Sequence, residues 1–154
     1  MKGPYFINVN LEVWSKEDLA PLGEALEPKC MVLHVGKVRR RFHLGVEASC
    51  SPKTPDDAIS ELLQLVKTLP PAAKRLWKRA ESRIFNVGYD AGNRMNTMYE
   101  RPVGSGRWYT RSPSTAAHRY EATFDPEILR AVVKAGATLA ITIYPPTKEK
   151  SRSK

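Results

Sequence analysis

The chain has 154 residues, 42% of them hydrophobic, and a formal net charge of +9 at pH 7. This length predicts one domain with a core of its own. No apolar run approaches the roughly 20 residues of a membrane-spanning helix, and the first residues lack the apolar segment of a signal peptide. We therefore expect a cytoplasmic protein with no membrane partner. Its two cysteines, Cys30 and Cys50, are too few for a disulfide framework and are expected to stay reduced.

The net charge is concentrated in the second part of the chain. Residues 1–60 contain eight Lys or Arg and eight Asp or Glu, whereas residues 61–154 contain seventeen and eight. A basic surface of this kind indicates an acidic partner, which could be nucleic acid, an anionic lipid surface or an acidic protein. The alternative is that the basic side chains only solvate helix surfaces.

The first part of the chain predicts a strand, a short helix and a hairpin. Apolar residues alternate over Tyr5–Trp14, which is typical of a half-buried strand. Ser15–Asp18 carries a weak capping pattern, but Pro21 requires that the helix begin near it or that its first turn be irregular. Cys30–Ala48 predicts a hairpin whose turn is Gly36-Lys37, because glycine in the first turn position suits a type II′ loop.

The position of this turn decides which face of the hairpin is buried. It pairs Val35 with Val38 and Met31 with Phe42, and it directs Leu33 toward the core. Three further residues of the second strand are expected on the same inward face: Leu44, Val46 and Ala48. The other face carries His34, Arg39, Arg41 and His43, and is expected to meet solvent or a partner. A shift of one residue would exchange the two faces.

Two helices and a strand are predicted next. Thr54–Asp57 opens the first helix, with threonine as the cap, proline in the first helical position and two acids in the first turn. Pro70-Pro71 separates it from a second helix over Ala72–Ala80. Arg83–Tyr89 follows as a strand.

The C-terminal part predicts a strand, a helix and a last strand. Arg119–Phe124 alternates like a strand and leads into Asp125-Pro126-Glu127, which caps and opens the helix. Gly136 ends this helix, and the alternation over Thr138–Tyr144 predicts the last strand. Six residues of this unit are expected in the core: Ile128, Leu129, Val132, Leu139, Ile141 and Ile143.

The element order is β-α-β-β-α-β-β-α-β, with the middle helix in two parts. This order predicts an α+β fold, in which helices pack on one face of a single, mostly antiparallel β-sheet. The domain is expected to cover residues 1–146. Residues 147–154 are expected to form a disordered basic tail.

Residues 90–118 match no regular element and contain the strongest binding pattern in the sequence. Segments this long without regular structure are usually functional or disordered. Arginine together with Tyr and Trp dominates binding hot spots, and the same mixture can stack bases and pair phosphates. The alternative is a mobile surface loop, or a hairpin whose Trp108 packs on the core. The candidate partner-binding residues are Arg94, Tyr99, Arg101, Arg107, Trp108, Tyr109, Arg111 and Arg119.

No pattern in the sequence indicates catalysis, a metal or a cofactor. Cys30, His34 and His43 share a face in the predicted register, but the arginines between them oppose a cation. No cysteine and histidine form a recognisable nucleophile and base. Gly104-Ser105-Gly106 has the context of neither a nucleophile elbow nor a phosphate loop. We expect a protein that is not an enzyme, with no catalytic residues, no metal and no cofactor.

Four segments carry a resemblance to a known family: Asp18–Pro28, Ile59–Pro70, Ile84–Tyr89 and Leu129–Pro145. In their order and pattern the chain resembles the bacterial domain-of-unknown-function family 4279, over most of residues 5–146. Residues 90–118 are not part of that pattern. The resemblance implies a small immunity-type protein of the kind found beside polymorphic toxins. It offers no catalytic residues to carry over.

Two functional hypotheses result, beside the remaining alternative of an enzyme whose site is assembled in three dimensions from residues without a sequence motif. In the first, the protein is a non-enzymatic immunity or antitoxin protein that occludes the active site of an acidic toxin, with charge steering the encounter. Its anchors are Arg107, Trp108, Tyr109 and Arg111. In the second, the same loop binds nucleic acid with help from Arg75, Arg79 and the Lys148–Lys154 tail, although no known nucleic-acid-binding motif is present.

Overall fold

Strands and helices alternate along the chain in a computed structural model that describes residues 5–48, 52, 54–90 and 122–144. The strands are β1 (Tyr5–Ser15), β2 (Cys30–Val38), β3 (Arg41–Ala48), β4 (Ser82–Asp90) and β5 (Thr138–Tyr144). The helices are α1 (Ala20–Leu26), α2 (Pro55–Lys67), α3 (Pro71–Arg79) and α4 (Pro126–Lys134). The predicted domain boundary at residue 146 and the predicted tail lie outside the described residues.

The described residues fall into two compact units. The larger unit comprises Phe6–Gly88 and Thr123–Thr142. The smaller unit contains six described residues: Tyr5, Tyr89, Asp90, Ala122, Ile143 and Tyr144. Within it, the Tyr5 hydroxyl donates a hydrogen bond of 3.3 Å to the Asp90 carboxylate, and this charge raises the pKa of the tyrosine.

The five strands form one mixed sheet in the order β2-β3-β1-β4-β5. β3 pairs antiparallel with both β1 and β2. β4 and β5 run in the same direction, since Arg83 bonds to the Gly136 carbonyl before β5 and Asn86, farther along β4, accepts from Thr142. The α+β class and the broad element order are therefore confirmed.

The core lies between the helices and one face of the sheet. Val9, Leu11 and Val13 of β1 are fully buried, and the residues between them are half-buried. The other elements contribute Leu22, Leu26, Leu44, Val46, Ile59, Leu62, Ala73, Trp77, Phe85 and Val87. Each large apolar side chain contributes about 1.5–3 kcal/mol when buried. The alternation of β1 therefore decides which face the helices cover.

The helix caps predicted at Thr54 and Asp125 are confirmed, whereas the capping pattern predicted over Ser15–Asp18 is wrong, because Ser15 ends β1 and the N-cap of α1 is Leu19, which forms no side-chain cap. The Thr54 hydroxyl accepts a hydrogen bond from the Asp57 N–H at 3.2 Å, and the Asp125 carboxylate accepts one from the Glu127 N–H at 2.7 Å. These caps satisfy amide groups that have no partner within the helix. α1 begins at Ala20, beside Pro21, which is one of the two starts that the sequence allowed.

The predicted hairpin turn is wrong. The turn is Arg39-Arg40, so that Val38 pairs with Arg41, and a bulge shifts the register between Val32 and His34. Leu44, Val46 and Ala48 of β3 are buried as expected. The residues of β2 that were expected inside, Met31, Leu33 and Val35, are instead exposed. The pairing of β3 with β1 fixes the inward face of β3, and β2, at the sheet edge, adapts through the bulge.

The expected core residues of the C-terminal unit are only partly buried. Val132 is 3% exposed, whereas Leu129, Ile141 and Ile143 are exposed. α4 has nine residues and is about 13 Å long, whereas β5 has seven residues and is about 23 Å long. A helix of this length covers only part of such an edge strand. Of the strand predicted over Arg119–Phe124, residues 122–124 form no strand, and the remainder lies outside the described residues.

Candidate functional site

The eight partner-binding residues predicted from the sequence lie outside the described residues, so their role stays a prediction: Arg94, Tyr99, Arg101, Arg107, Trp108, Tyr109, Arg111 and Arg119. The basic tail Lys148–Lys154 lies outside them as well. Of the two helper arginines, Arg75 is exposed on α3. Arg79 forms an ion pair with Glu17, with 3.0 Å between Nε and Oε1.

A different basic cluster lies at the β2–β3 turn. We call it the hairpin tip, and it consists of four exposed residues: Lys37, Arg39, Arg40 and Arg41. Arg41 shares the Glu81 carboxylate with Lys16, at N–O distances of 3.3 and 3.6 Å. In the described part of the chain, no carboxylate forms an ion pair with Lys37, Arg39 or Arg40. Three positive charges of the tip are therefore available to a partner.

Arg39 has an unusual backbone conformation. Its φ angle is 58°, and no other non-glycine residue in the described ranges has a positive φ. The left-handed conformation costs an ordinary L-residue about 1–2 kcal/mol, and glycine or asparagine is preferred in such hairpin turns. A strained residue of this kind often belongs to a functional site. The conformation therefore motivates a binding role for the arginine side chain.

Aromatic rings stack beside the hairpin tip, on the sheet face opposite the helices. Trp14 pairs with His43 across β1 and β3, and their ring centroids are 4.2 Å apart with 29° between the planes. His34 stacks on the other side, with its centroid 5.3 Å from that of His43. Trp14 also lines a shallow depression of about 600 Å³ with Val38 and the three arginines of the tip. An indole edge and guanidinium groups thus share one surface.

The surroundings of His43 favour its neutral form. Burial lowers its pKa, the nearby Glu12 carboxylate raises it by a smaller amount, and His34 lowers it further. The His43 Nε2 atom is buried and has no hydrogen-bond partner among the described residues. A neutral imidazole can stack between Trp14 and His34 without the cost of burying a charge.

Cys30 does not belong to this surface. Its thiol lies on the core side and donates a hydrogen bond of 3.2 Å to the Leu26 carbonyl. Burial, with a smaller effect of Glu61, raises the pKa of the Cys30 thiol to about 11, which leaves it a poor nucleophile. Cys30 is thus separated from His34 and His43. The described residues contain no group of three or more His, Cys, Asp or Glu placed to hold a metal ion.

Sequence reasoning missed the hairpin tip as a site. Residues 1–60 are neutral in total, and this average concealed a local run of four cations over Lys37–Arg41. The run itself was a usable signal. Its neighbour Trp14 could not be recognised without the register between β1 and β3.

Comparison with known proteins adds no relative: no family model, curated protein or solved structure matches the chain. The resemblance to family 4279 therefore stays a prediction. Among the described helices, none has the length and apolar character needed to cross a membrane.

Proposed function

We propose that the protein is a non-enzymatic binding protein whose hairpin tip, together with Trp14, engages an acidic surface of another protein. The observation that carries this proposal is the group of three cations that have no carboxylate partner among the described residues, placed around a half-buried indole on a strained turn. An immunity role in the cytoplasm, with a toxin neutralised by occlusion of its active site, is part of the proposal. It is supported by the resemblance to family 4279.

The chemistry of the hairpin tip favours a protein partner. Arginine and tryptophan are the residues most enriched among the hot spots of protein interfaces. Uncompensated charge at a protruding turn accelerates the encounter with an oppositely charged partner. Trp14 is covered on one ring face by His43, so it offers an edge and one face. Such a half-buried indole suits a pocket or ridge on a protein.

The test uses immobilised polyglutamate as a model acidic surface and compares two substitutions. Arg40→Gln removes a cation of the hairpin tip, and Arg75→Gln removes an exposed cation from α3 as the matched control. We expect Arg40→Gln to weaken binding about threefold to fivefold and the control to have little effect. Equal effects of the two variants would show that only the net charge matters and would overturn the role of the tip.

The immunity role has a separate test. Co-purification of the protein with an acidic product of a neighbouring gene supports it, and alanine at Arg40 should then weaken that complex. Alanine at both Trp108 and Arg111 tests the loop predicted from the sequence. An unweakened complex would remove the loop from the binding surface.

Nucleic acid is the second candidate partner, and the ring stack on the sheet face opposite the described helices favours it. Single-stranded RNA binds to sheet faces of this kind by stacking its bases on aromatic side chains. Three phosphate contacts at the tip predict that the logarithm of affinity falls with the logarithm of salt concentration with a slope of about -2. Binding of polythymidylate with this slope, and tighter than that of polyglutamate of equal charge, would favour nucleic acid over protein.

A further inference from the structure

A groove lies between α2, α3 and α4, within the larger unit, and none of the residues of the hairpin tip lines it. It has a volume of about 520 Å³, which is within the range of small-molecule sites. The apolar part of its lining is Leu63, Val66, Trp77, Ala131 and Ala135. Ala131 of α4 and the C-cap residue Ala135 are one helical turn apart, and their small side chains leave the space open.

The polar part of the lining is almost entirely cationic. It consists of Lys67, Lys74, Lys78, Lys134, Arg130 and Glu127, and we call the whole site the lysine groove. Glu127 is hydrogen-bonded to Arg130, so its charge is already compensated. Within the described ranges, none of the four lysines forms an ion pair. The groove therefore combines an apolar floor with four uncompensated positive charges.

Helix dipoles explain only part of this charge. Lys67, Lys78 and Lys134 each lie in the last turn of a helix, where a cation is favoured by the partial negative charge of the carbonyl groups. At the ends of α3 and α4, however, that role is already filled by another residue. Lys78 and Lys134, the lysines at these two helix ends, can therefore interact with a ligand in the groove.

Arg83 is the residue that caps both helices. Its guanidinium donates to the carbonyl oxygens of Trp77, Lys78 and Ala80 at 2.7, 3.3 and 3.2 Å, and to that of Gly136 at 2.8 Å. The Trp77 indole N–H donates to the Ala135 carbonyl at 3.2 Å. These bonds satisfy the carbonyl groups and bring a full positive charge to both helix ends.

We propose that the lysine groove is a binding site for a small organic anion with an apolar body, of the chemical class of a medium-chain carboxylate. The apolar body lies against Trp77 and the two alanines, and the anionic head lies among the lysines. Burial of the body supplies affinity, and the cations select the head by its charge. The proposal is independent of the hairpin tip and of its partner.

The experiment measures binding of decanoate to the full chain by titration calorimetry, below the concentration at which decanoate forms micelles. Decyltrimethylammonium presents the same tail with the opposite charge, and acetate presents the head without the tail. We expect saturable binding of decanoate, and at least about tenfold weaker binding of the other two, because each lacks one of the two contributions.

Three variants place the binding in the lysine groove. Lys74→Gln should weaken decanoate binding about fivefold, whereas Arg75→Gln, its exposed neighbour on α3 that does not line the groove, should leave it unchanged. Ala131→Leu fills the floor and should abolish binding. Its fold is checked by circular dichroism, and Lys74→Gln decides the question if Ala131→Leu does not fold.

Several results would overturn the proposal. Equal affinity for decanoate and decyltrimethylammonium would reduce the site to an apolar patch without charge selection. Equal losses in Lys74→Gln and Arg75→Gln would place the anion elsewhere. A lack of saturable binding by decanoate would remove the site altogether.

Discussion

The hairpin tip and the lysine groove are both basic, but their surroundings differ. At the tip, Arg39 and Arg40 extend from a turn into solvent beside a half-buried indole. In the groove, the lysines surround a floor that includes Trp77, which is 5% exposed. Exposed charge mainly steers and orients a partner, whereas charge around an apolar floor can select what that floor buries. The same residue types therefore suit different ligands.

The largest expected effect is on stability, and it distinguishes the two surfaces because the tryptophan of the lysine groove is buried in the core and that of the hairpin tip is not. Trp77→Ala should lower the free energy of unfolding by about 3–5 kcal/mol, as large aromatic truncations in a core do. The substitution also removes the hydrogen bond from the indole to the Ala135 carbonyl. Trp14→Ala, on the sheet face opposite the described helices, should cost about 1 kcal/mol. Urea denaturation measures both. Similar losses in the two variants would contradict the view that only the groove is built on the core.

Arg83 should show the next largest effect. Arg83→Met keeps much of the apolar stem but removes four hydrogen bonds to helix-end carbonyl groups. We expect a loss of about 2 kcal/mol, since the bonds to Trp77 and Ala80 are partly buried and their carbonyl groups would be left unsatisfied. Arg75→Met is the matched control and should change stability by less than about 0.5 kcal/mol. A loss no greater than that of the control would mean that the lysines of the groove cap these helices themselves.

Glycine substitutions at Arg39 and Arg40 test whether the turn is strained and whether both side chains contribute to binding. Glycine tolerates a positive φ, so Arg39→Gly gains about 1–2 kcal/mol from relief of strain and loses about 0.5–1 kcal/mol through chain entropy. Arg40→Gly suffers only the loss, because Arg40 has no positive φ. Arg39→Gly should thus be more stable than Arg40→Gly by about 1–2 kcal/mol in thermal unfolding, while both bind polyglutamate more weakly. Equal stabilities would show that the turn is not strained.

The central elements of the fold could be predicted because local and long-range signals agree there. The alternation of β1 extends over its whole length, and α2 and α4 begin with side-chain caps that are visible in the sequence. The hairpin turn was missed because two local signals conflicted. Gly36 has the chemistry of a turn residue and Arg39 does not, but the pairing of β3 with β1 fixes the register and overrides that preference.

The two basic surfaces could be predicted only in part. Lys37–Arg41 is a visible run of charge, but the indole beside it, that of Trp14, comes from β1, which is far from the hairpin in the sequence. The lysine groove needs three helices to converge, and its alanines have no distinctive pattern. The buried face of the edge strand β2 was also hard to predict. Met31, Val32 and Leu33 are consecutive apolar residues, so their pattern does not alternate and does not select a face.

The smallest expected effect concerns the pH dependence of the ring stack. The pKa of His43 is lowered in the folded protein, so the unfolded chain binds a proton more readily. The contribution of His43 to stability is therefore complete above its unfolded pKa of about 6.5 and is lost as the pH falls below it. His43→Phe keeps a ring in the stack and removes the titration. Unfolding curves between about pH 7 and 5.5 should have a shallower pH dependence in this variant than in the wild type.

An acidic partner at the hairpin tip should act on His43 in the opposite direction. Negative charge beside the stack favours the imidazolium form and raises the pKa of His43, so binding and protonation should assist each other. Polyglutamate should bind more tightly as the pH is lowered over the same window, at a constant salt concentration, while the fold becomes less stable. The His43→Phe variant should lose this gain in affinity. A gain that persists in the variant would place the responsible proton on another group and separate the ring stack from the binding surface.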